Sequence, residues 1–218
     1  MSDQQDEPHE QTPDEIFKTA VIFELALGAF ALILGWTVGP DARAMIPELS
    51  LDEWWPVVSG ILYGCLAAIP IVIFIDIVRR LPFESVRALE KLGDDGIFKA
   101  LLELRGIELV LISICAGVGE ELLFRGWLMY FLASSGEGGP TAIELGAALV
   151  VSSIAFGLVH PITKLYVFLA ALMGLYFGGL LLWTENLLVP IAAHAAYDAI
   201  QLIISSRREV EVIVQSNE

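Results

Sequence analysis

Six ionisable side chains stand in three short groups: Glu120, Glu121 and Arg125; His160, four residues after Phe156; and His194 with Asp198. All three groups sit in otherwise apolar sequence, and Gly119-Glu120-Glu121-Leu122-Leu123-Phe124-Arg125 is the densest. A charge at mid-bilayer costs about 2.5–3.5 kcal/mol even on the lenient insertion scale, so each of these residues needs a reason. Glu121 and Arg125 share a helix face in the favourable acid-before-base order, and a bidentate pair would satisfy both. Glu120 lies about 100° round the helix from Glu121 and faces something else. An unpaired carboxylate of this kind is a candidate general base. Phe156 shares a face with His160 and can wall one side of the imidazole, while His194 and Asp198 are spaced for a hydrogen bond along one face. Each group also has a bland reading: a Glu-Glu-Arg cluster joining helices, an interfacial histidine, and a His–Asp bond that only stabilises a bundle. Taken together they weigh against the bland readings: two of the three histidines lie in apolar stretches, each with a same-face partner, and a third stretch offers the glutamate pair.

These residues must be positioned by elements that live in lipid. Of 218 residues, 56% are hydrophobic and only 18% charged, against about 45–50% and about 25% in an ordinary soluble domain. Mean hydropathy is +0.70. This composition excludes a soluble globular enzyme, a nucleic-acid binder and a disordered regulator. A spanning helix needs about 20 apolar residues, and six stretches qualify: roughly 19–38, 54–78, 106–132, 142–160, 165–183 and 187–204. Trp36, Trp54, Trp55, Trp127 and Trp183 fall at or near their ends, as an aromatic belt does. The chain at about 79–105 alternates charge with Leu, Phe and Val and reads as a helix lying along the interface. Residues 136–140 read as a tight loop. The fold expected is an all-α polytopic transmembrane bundle of about six spans. Its parts are an acidic, disordered N-terminal tail at 1–15, one transmembrane domain at 16–204, and a C-terminal tail at 205–218.

Basic residues set the orientation. Lys18, Arg79, Arg80, Arg87, Lys91, Lys99, Arg105, Lys164, Arg207 and Arg208 fall on one side and Arg43 alone on the other, which places both termini in the cytoplasm. The tails hold nine of the acids behind the net charge of −15, and these read as solvating acids rather than a partner site. The acidic start lacks the basic region of a secretory signal peptide, so the first apolar stretch reads as a retained span. Cys65 and Cys115 lie in apolar stretches and read as packing residues. Asp76 before Arg79 and Arg80, and Glu108 after Arg105, read as interfacial ion pairs. Glu24 has no partner within reach in sequence except Lys18, and reads as an acid that is either protonated or facing the bundle.

In order and spacing, Glu-Glu-x-x-x-Arg at 120–125, Phe-x-x-x-His at 156–160 and His-x-x-x-Asp at 194–198 resemble the CPBP family of intramembrane proteases, which includes CAAX prenyl proteases and bacteriocin-immunity homologues. The resemblance covers about 106–204 and leaves the first two spans unmatched. It implies a membrane-depth cavity in which a peptide bond is hydrolysed. Glu120 would be the base that activates water, and Glu121 with Arg125 its support. His160 would position the water, and His194 with its partner would form the oxyanion hole. That partner is usually Asn in the family. Asp198 cannot itself donate when ionised, but it can hold His194 as the donor. The resemblance implies no cofactor under glutamate catalysis; a zinc alternative would use Glu120, His160 and His194 as ligands, although His-Glu-x-x-His is missing. It implies a peptide or protein substrate, lipidated or not, a bacterial plasma membrane as location, and no nucleic acid.

Two other classes compete. A non-catalytic binding or immunity protein of the same fold would keep the helices without needing Glu120, His160 and His194 together. A proton-coupled transporter would also place acids and histidines in spans, but no pair of matching halves is visible. The span boundaries also set up a conflict of depth. They leave His160 near the cytoplasmic surface and Glu120 about 21 Å from it by helix rise. Shifted span boundaries, a bend near Gly117 and Gly119, or a cavity opening to the cytoplasm would be needed to bring the two together.

Overall fold

A computed structural model describes residues 12–50, 52–91, 96–133 and 138–216, with side chains described through Arg208 except that of Glu90. The expected acidic tail at 1–11 and the acids at 209, 211 and 218 lie outside that description. All regular structure among the described residues is helical: α1 Pro13–Thr37, α2 Trp55–Arg79, α3 Glu84–Glu90, α4 Gly96–Leu102, α5 Gly106–Glu121, a π-helical segment Leu122–Leu128, α6 Met129–Ala133, α7 Ala142–Leu158, α8 Lys164–Thr184 and α9 Leu188–Ser216. Four of these, α1, α2, α8 and the Leu188–Arg208 part of α9, are long and apolar enough to cross a bilayer, and α7 is a shorter apolar helix. The sixth expected span is the unbroken run from α5 through the π segment to α6.

The helices begin where the sequence supplies caps. Thr12 and Glu15 form a capping box with Pro13 in the first turn, and Thr141 and Glu144 form another at the start of α7; both satisfy amides that a helix start leaves open. Residues 13–15 are therefore helical rather than part of a tail. At the other end, α9 continues past 204 to Ser216, so the segment expected as a C-terminal tail is helical over most of its length. The interfacial stretch at about 79–105 forms two short helices, α3 and α4, instead of one. Gly138 and Gly139 turn the chain before α7 with φ of 120° and 79°, values that glycine adopts without strain.

The polarity pattern is turned inside out. Ile22, Phe23, Leu25, Phe30 and Ile33 of α1, Leu62, Leu66, Ile73 and Ile77 of α2, and Phe168 and Trp183 of α8 are exposed, an outward apolar surface suited to lipid. Glu108, Ser113, Glu120, Glu121, Arg125, Ser152, Ser153 and His194 are buried. The packing of α9 is central, since it lies against both α2 and α5, while α7 packs on α8 and α1 on α5. Small residues make this possible. A Cβ at Gly64 would meet the Val189 backbone and Ala192, and one at Gly117 would come 2.8 Å from the Ile191 oxygen and 3.0 Å from the Ala195 Cβ. Ala192 and Ala195, three residues apart along α9, thus let both α2 and α5 approach it closely. Gly157 and Gly174 play the same part between α7 and α8, where added Cβ atoms would meet Ala171 and Ser153.

Peripheral charges find local partners. Arg80 binds Asp76 at 2.6 Å, Arg105 pairs with Glu108, and Lys18 pairs with Asp14 at 2.9 Å rather than reaching Glu24. Cys65 is exposed on the outer surface and Cys115 half-buried, and both are free.

Candidate functional site

The geometry starts from α5. Its last two residues, Glu120 and Glu121, point to different neighbours, as the 100° step requires. Glu121 is fully buried and accepts from Arg125 Nη1 at 2.9 Å. The pair uses one guanidinium nitrogen, whereas the spacing suggested a bidentate fork. Two features account for this. The chain enters the π-helical segment at Leu122, which widens the turn carrying Arg125. The guanidinium then lies over the Phe156 ring, 4.3 Å from its centroid, with Phe177 and Phe124 at 5.6 and 5.9 Å. Such an aromatic cage stabilises a buried cation that has only one carboxylate partner. A π turn is a frequent mark of functional helices, and no feature of the residue pattern announced this one.

From α9, His194 reaches the same carboxylate: Nδ1 lies 2.9 Å from Glu121 Oε1. Its other nitrogen, Nε2, is 3.3 Å from Asp198 Oδ2, one turn on, and 3.8 Å from Glu120 Oε2. Phe177 of α8 stacks flat on the imidazole, with centroids 4.9 Å apart and planes 15° apart. The role of Phe177 as a floor for His194 was not legible in the sequence, because an aromatic among the Leu and Gly of α8 has no distinguishing mark.

His160 follows the end of α7. Its Nδ1 bonds the Phe156 carbonyl oxygen at 2.7 Å, closing the last turn where helix carbonyls lack partners. Its Nε2 lies 3.6 Å from Glu120 Oε1, and Phe156 walls the ring at 4.9 Å as the spacing implied. The expected separation in depth between His160 and Glu120 is therefore corrected. With 17 residues, α7 is about 26 Å long, shorter than the roughly 30 Å hydrocarbon core, and its end at Leu158 brings His160 to the level of Glu120. The helix bend anticipated at Gly117 and Gly119 is not what joins them; those glycines serve close packing, and the irregular turn comes after Glu121.

All six residues singled out from the sequence thus fall in one cluster. Glu120, Glu121, Arg125 and His194 are buried, whereas the side chains of His160 and Asp198 are 23% and 29% exposed, which marks the side from which the cluster can be reached. The tautomers follow from the partners. A backbone carbonyl only accepts, so His160 Nδ1 carries hydrogen; the Glu121 carboxylate imposes the same on His194 Nδ1. Both rings consequently turn Nε2 toward Glu120. Glu120 Oε2, Glu121 Oε2, Arg125 Nε and Arg125 Nη2 are buried without a hydrogen-bond partner among the described residues.

Residues 104–200, just under half of the chain, match the family described as "Rce1-like: Type II CAAX prenyl endopeptidase Rce1-like". The matched segment runs from just before α5 into the first half of α9 and contains every residue of the cluster. No curated protein and no solved structure matches the chain.

Proposed function

We propose that this integral membrane protein is an endopeptidase that hydrolyses a peptide bond at membrane depth using water activated by Glu120. The observation that carries the reading is the convergence of His160 Nε2 and His194 Nε2 on the two oxygens of Glu120, at 3.6 and 3.8 Å. These separations are too long for direct hydrogen bonds and leave the carboxylate free to work on a third group. A water between Glu120 Oε1 and His160 Nε2 has both hydrogens held and a lone pair free. Its oxygen attacks the scissile carbonyl carbon while Glu120 takes a proton. The carbonyl oxygen gains the negative charge, and His194, held as the imidazolium between the Glu121 and Asp198 carboxylates and against the face of Phe177, donates to it through its Nε2–H. Glu120 then delivers its proton to the amide nitrogen as the C–N bond breaks, yielding a carboxylate and an amine. One well-aimed donor at an oxyanion contributes about 2.7–4 kcal/mol, and one positioned base about 10²–10⁴ in rate. Glu121 and Arg125 do not touch the reacting atoms; they hold His194 and the end of α5 in register.

A zinc alternative would draw on the same donors, although no three His, Cys, Asp or Glu side chains among the described residues are grouped closely enough to hold a metal ion. Each imidazole has its Nδ1 fixed and its Nε2 presented, the usual preparation of a metal-bound histidine. Glu120, His160 and His194 would hold it, and it would supply Lewis-acid polarisation of water or carbonyl. The metal-free form is our preferred reading. In this reading both termini are cytoplasmic and the mouth of the site, beside the partly exposed His160 and Asp198, opens toward the cytoplasm. Its substrates would be peptides or proteins that reach the membrane, including lipidated ones.

The test is cleavage of fluorogenic peptides, lipidated and unmodified, by the full chain in detergent or liposomes, alongside Glu120→Ala and with or without a strong zinc chelator. Cleavage that survives chelation and vanishes in Glu120→Ala is the expected result. Loss to chelator with recovery on adding zinc turns the three residues into ligands. Silence of the folded wild type on the whole panel overturns the peptidase reading and favours a non-catalytic binding role.

A further inference from the structure

Glu24 lies on α1, outside the segment that matches the protease family, and its neighbours are those of Glu120. Helix α1 crosses α5 at two glycines: a Cβ at Gly28 would sit 3.5 Å from the Gly119 Cα, and one at Gly119 would run into the Glu24 carbonyl oxygen. The same point at Gly119 is 3.5 Å from Glu24 Oε2. Both backbone and carboxyl of Glu24 thus abut the residue that precedes Glu120. Glu120, His194, Asp198 and His160 are the charged groups near enough to act on Glu24. Lys18, the cation nearest in sequence, is taken by Asp14.

Glu24 Oε2 and Glu120 Oε2 are both buried without a hydrogen-bond partner among the described residues. Buried polar atoms in folded proteins are nearly always bonded to protein or to ordered water. Two carboxylates only accept, so they cannot satisfy each other, whereas one water with two O–H donors satisfies both. We propose that Glu24 is a positioning residue for Glu120, acting through a water held between the two carboxylates. Glu120 Oε2 is thereby tied back toward α1, and Oε1 stays turned to His160, where the hydrolytic water is activated. No proton need leave this bridging water. Helix α1 then supplies a part of the site as well as a lipid-facing wall. The inference rests on the peptidase reading above.

The experiment compares the full chain with Glu24→Leu and Glu24→Gln in detergent, measuring kcat and KM on a peptide that the wild type cleaves, together with Tm. Leu removes the acceptor. The expected result is a kcat at least about tenfold lower, with KM within about twofold, since misplacing a reacting group can cost that much or more. Its Tm stays at or above wild type, because an acid without a partner among the helices no longer has to be buried. Gln keeps an acceptor oxygen at similar reach and recovers most of kcat. A Glu24→Leu enzyme with full kcat overturns the proposal, and so does a joint loss of kcat and Tm in both variants, which marks a structural residue. Failure of the peptidase reading looks different: the wild type cleaves nothing and only Tm responds, and both readings fall.

Discussion

Glu121 Oε1 is held by two donors at once, Arg125 Nη1 and His194 Nδ1, each at 2.9 Å. One oxygen therefore joins the end of α5, the π segment and α9, in a place where the Glu121 and Arg125 side chains are 0% and 1% exposed. Removing one partner of a buried pair leaves an uncompensated charge, at a cost of roughly 3–5 kcal/mol. Glu121→Ala is expected to lower stability by that amount and to lose activity with it. Thermal unfolding in detergent, followed by tryptophan fluorescence, measures the first; an unchanged Tm would show that the pair does not hold the bundle.

Glu120 should behave in the opposite way, although it is the next residue. Neither of its oxygens is within direct hydrogen-bond distance of a histidine, so little in the fold depends on it. Glu120→Gln is expected to keep Tm at or above wild type while kcat falls by at least about 100-fold. The two adjacent glutamates then separate by stability and by rate. A Glu120→Gln chain that unfolds early would make Glu120 structural and leave the site without a base.

Glu121 and Arg125 were legible as a pair because i, i+4 spacing on a helix leaves little choice, and the apolar surroundings of Glu120 marked it as unusual. What the residue pattern could not supply was depth. Span ends were counted from hydropathy, which extends α7 to the interface, while the chain leaves the helix at Leu158 and keeps His160 level with Glu120. The π turn after Glu121 and the stacking of Phe177 on His194 depend on how α5, α8 and α9 meet, a tertiary matter. Capping at Thr12 and helix beyond 204 were missed for another reason: charged ends were read as solvated tails, although Thr12-Pro13 with Glu15 carries a start signal.

Gly119 makes the crossing between α1 and α5 possible, and the added methyl of Ala would overlap the Glu24 carbonyl oxygen, a backbone atom that cannot step aside. Gly119→Ala is expected to cost about 1–3 kcal/mol as an overpacking change and to reduce activity by displacing Glu120. Gly179 offers a control, since a Cβ there meets nothing within 4 Å; Ala at 179 should be neutral or gain up to about 1 kcal/mol from helix propensity. Equal effects at both positions, in unfolding and in peptide cleavage, would remove the crossing from the argument.

Asp198 Oδ2 lies 3.3 Å from His194 Nε2, on the nitrogen that the proposed chemistry turns toward the oxyanion, while Glu121 holds the opposite nitrogen. Its contribution is to orient and polarise that ring. Asn keeps an oxygen at the same reach and adds an amide donor of its own. Asp198→Asn is therefore expected to retain kcat within about tenfold, by donating directly where Asp acts through the imidazole. Asp198→Leu keeps the bulk and loses both functions, and kcat should fall by about 10²–10³, the cost of losing one oxyanion donor. With 29% of its side chain exposed, Asp198 is not deeply packed, so Tm should move little in either variant. The informative ratio is Asn to Leu on the same peptide. A large ratio at constant Tm places Asp198 with His194 at the oxyanion, and a ratio near one assigns their contact to helix α9 alone.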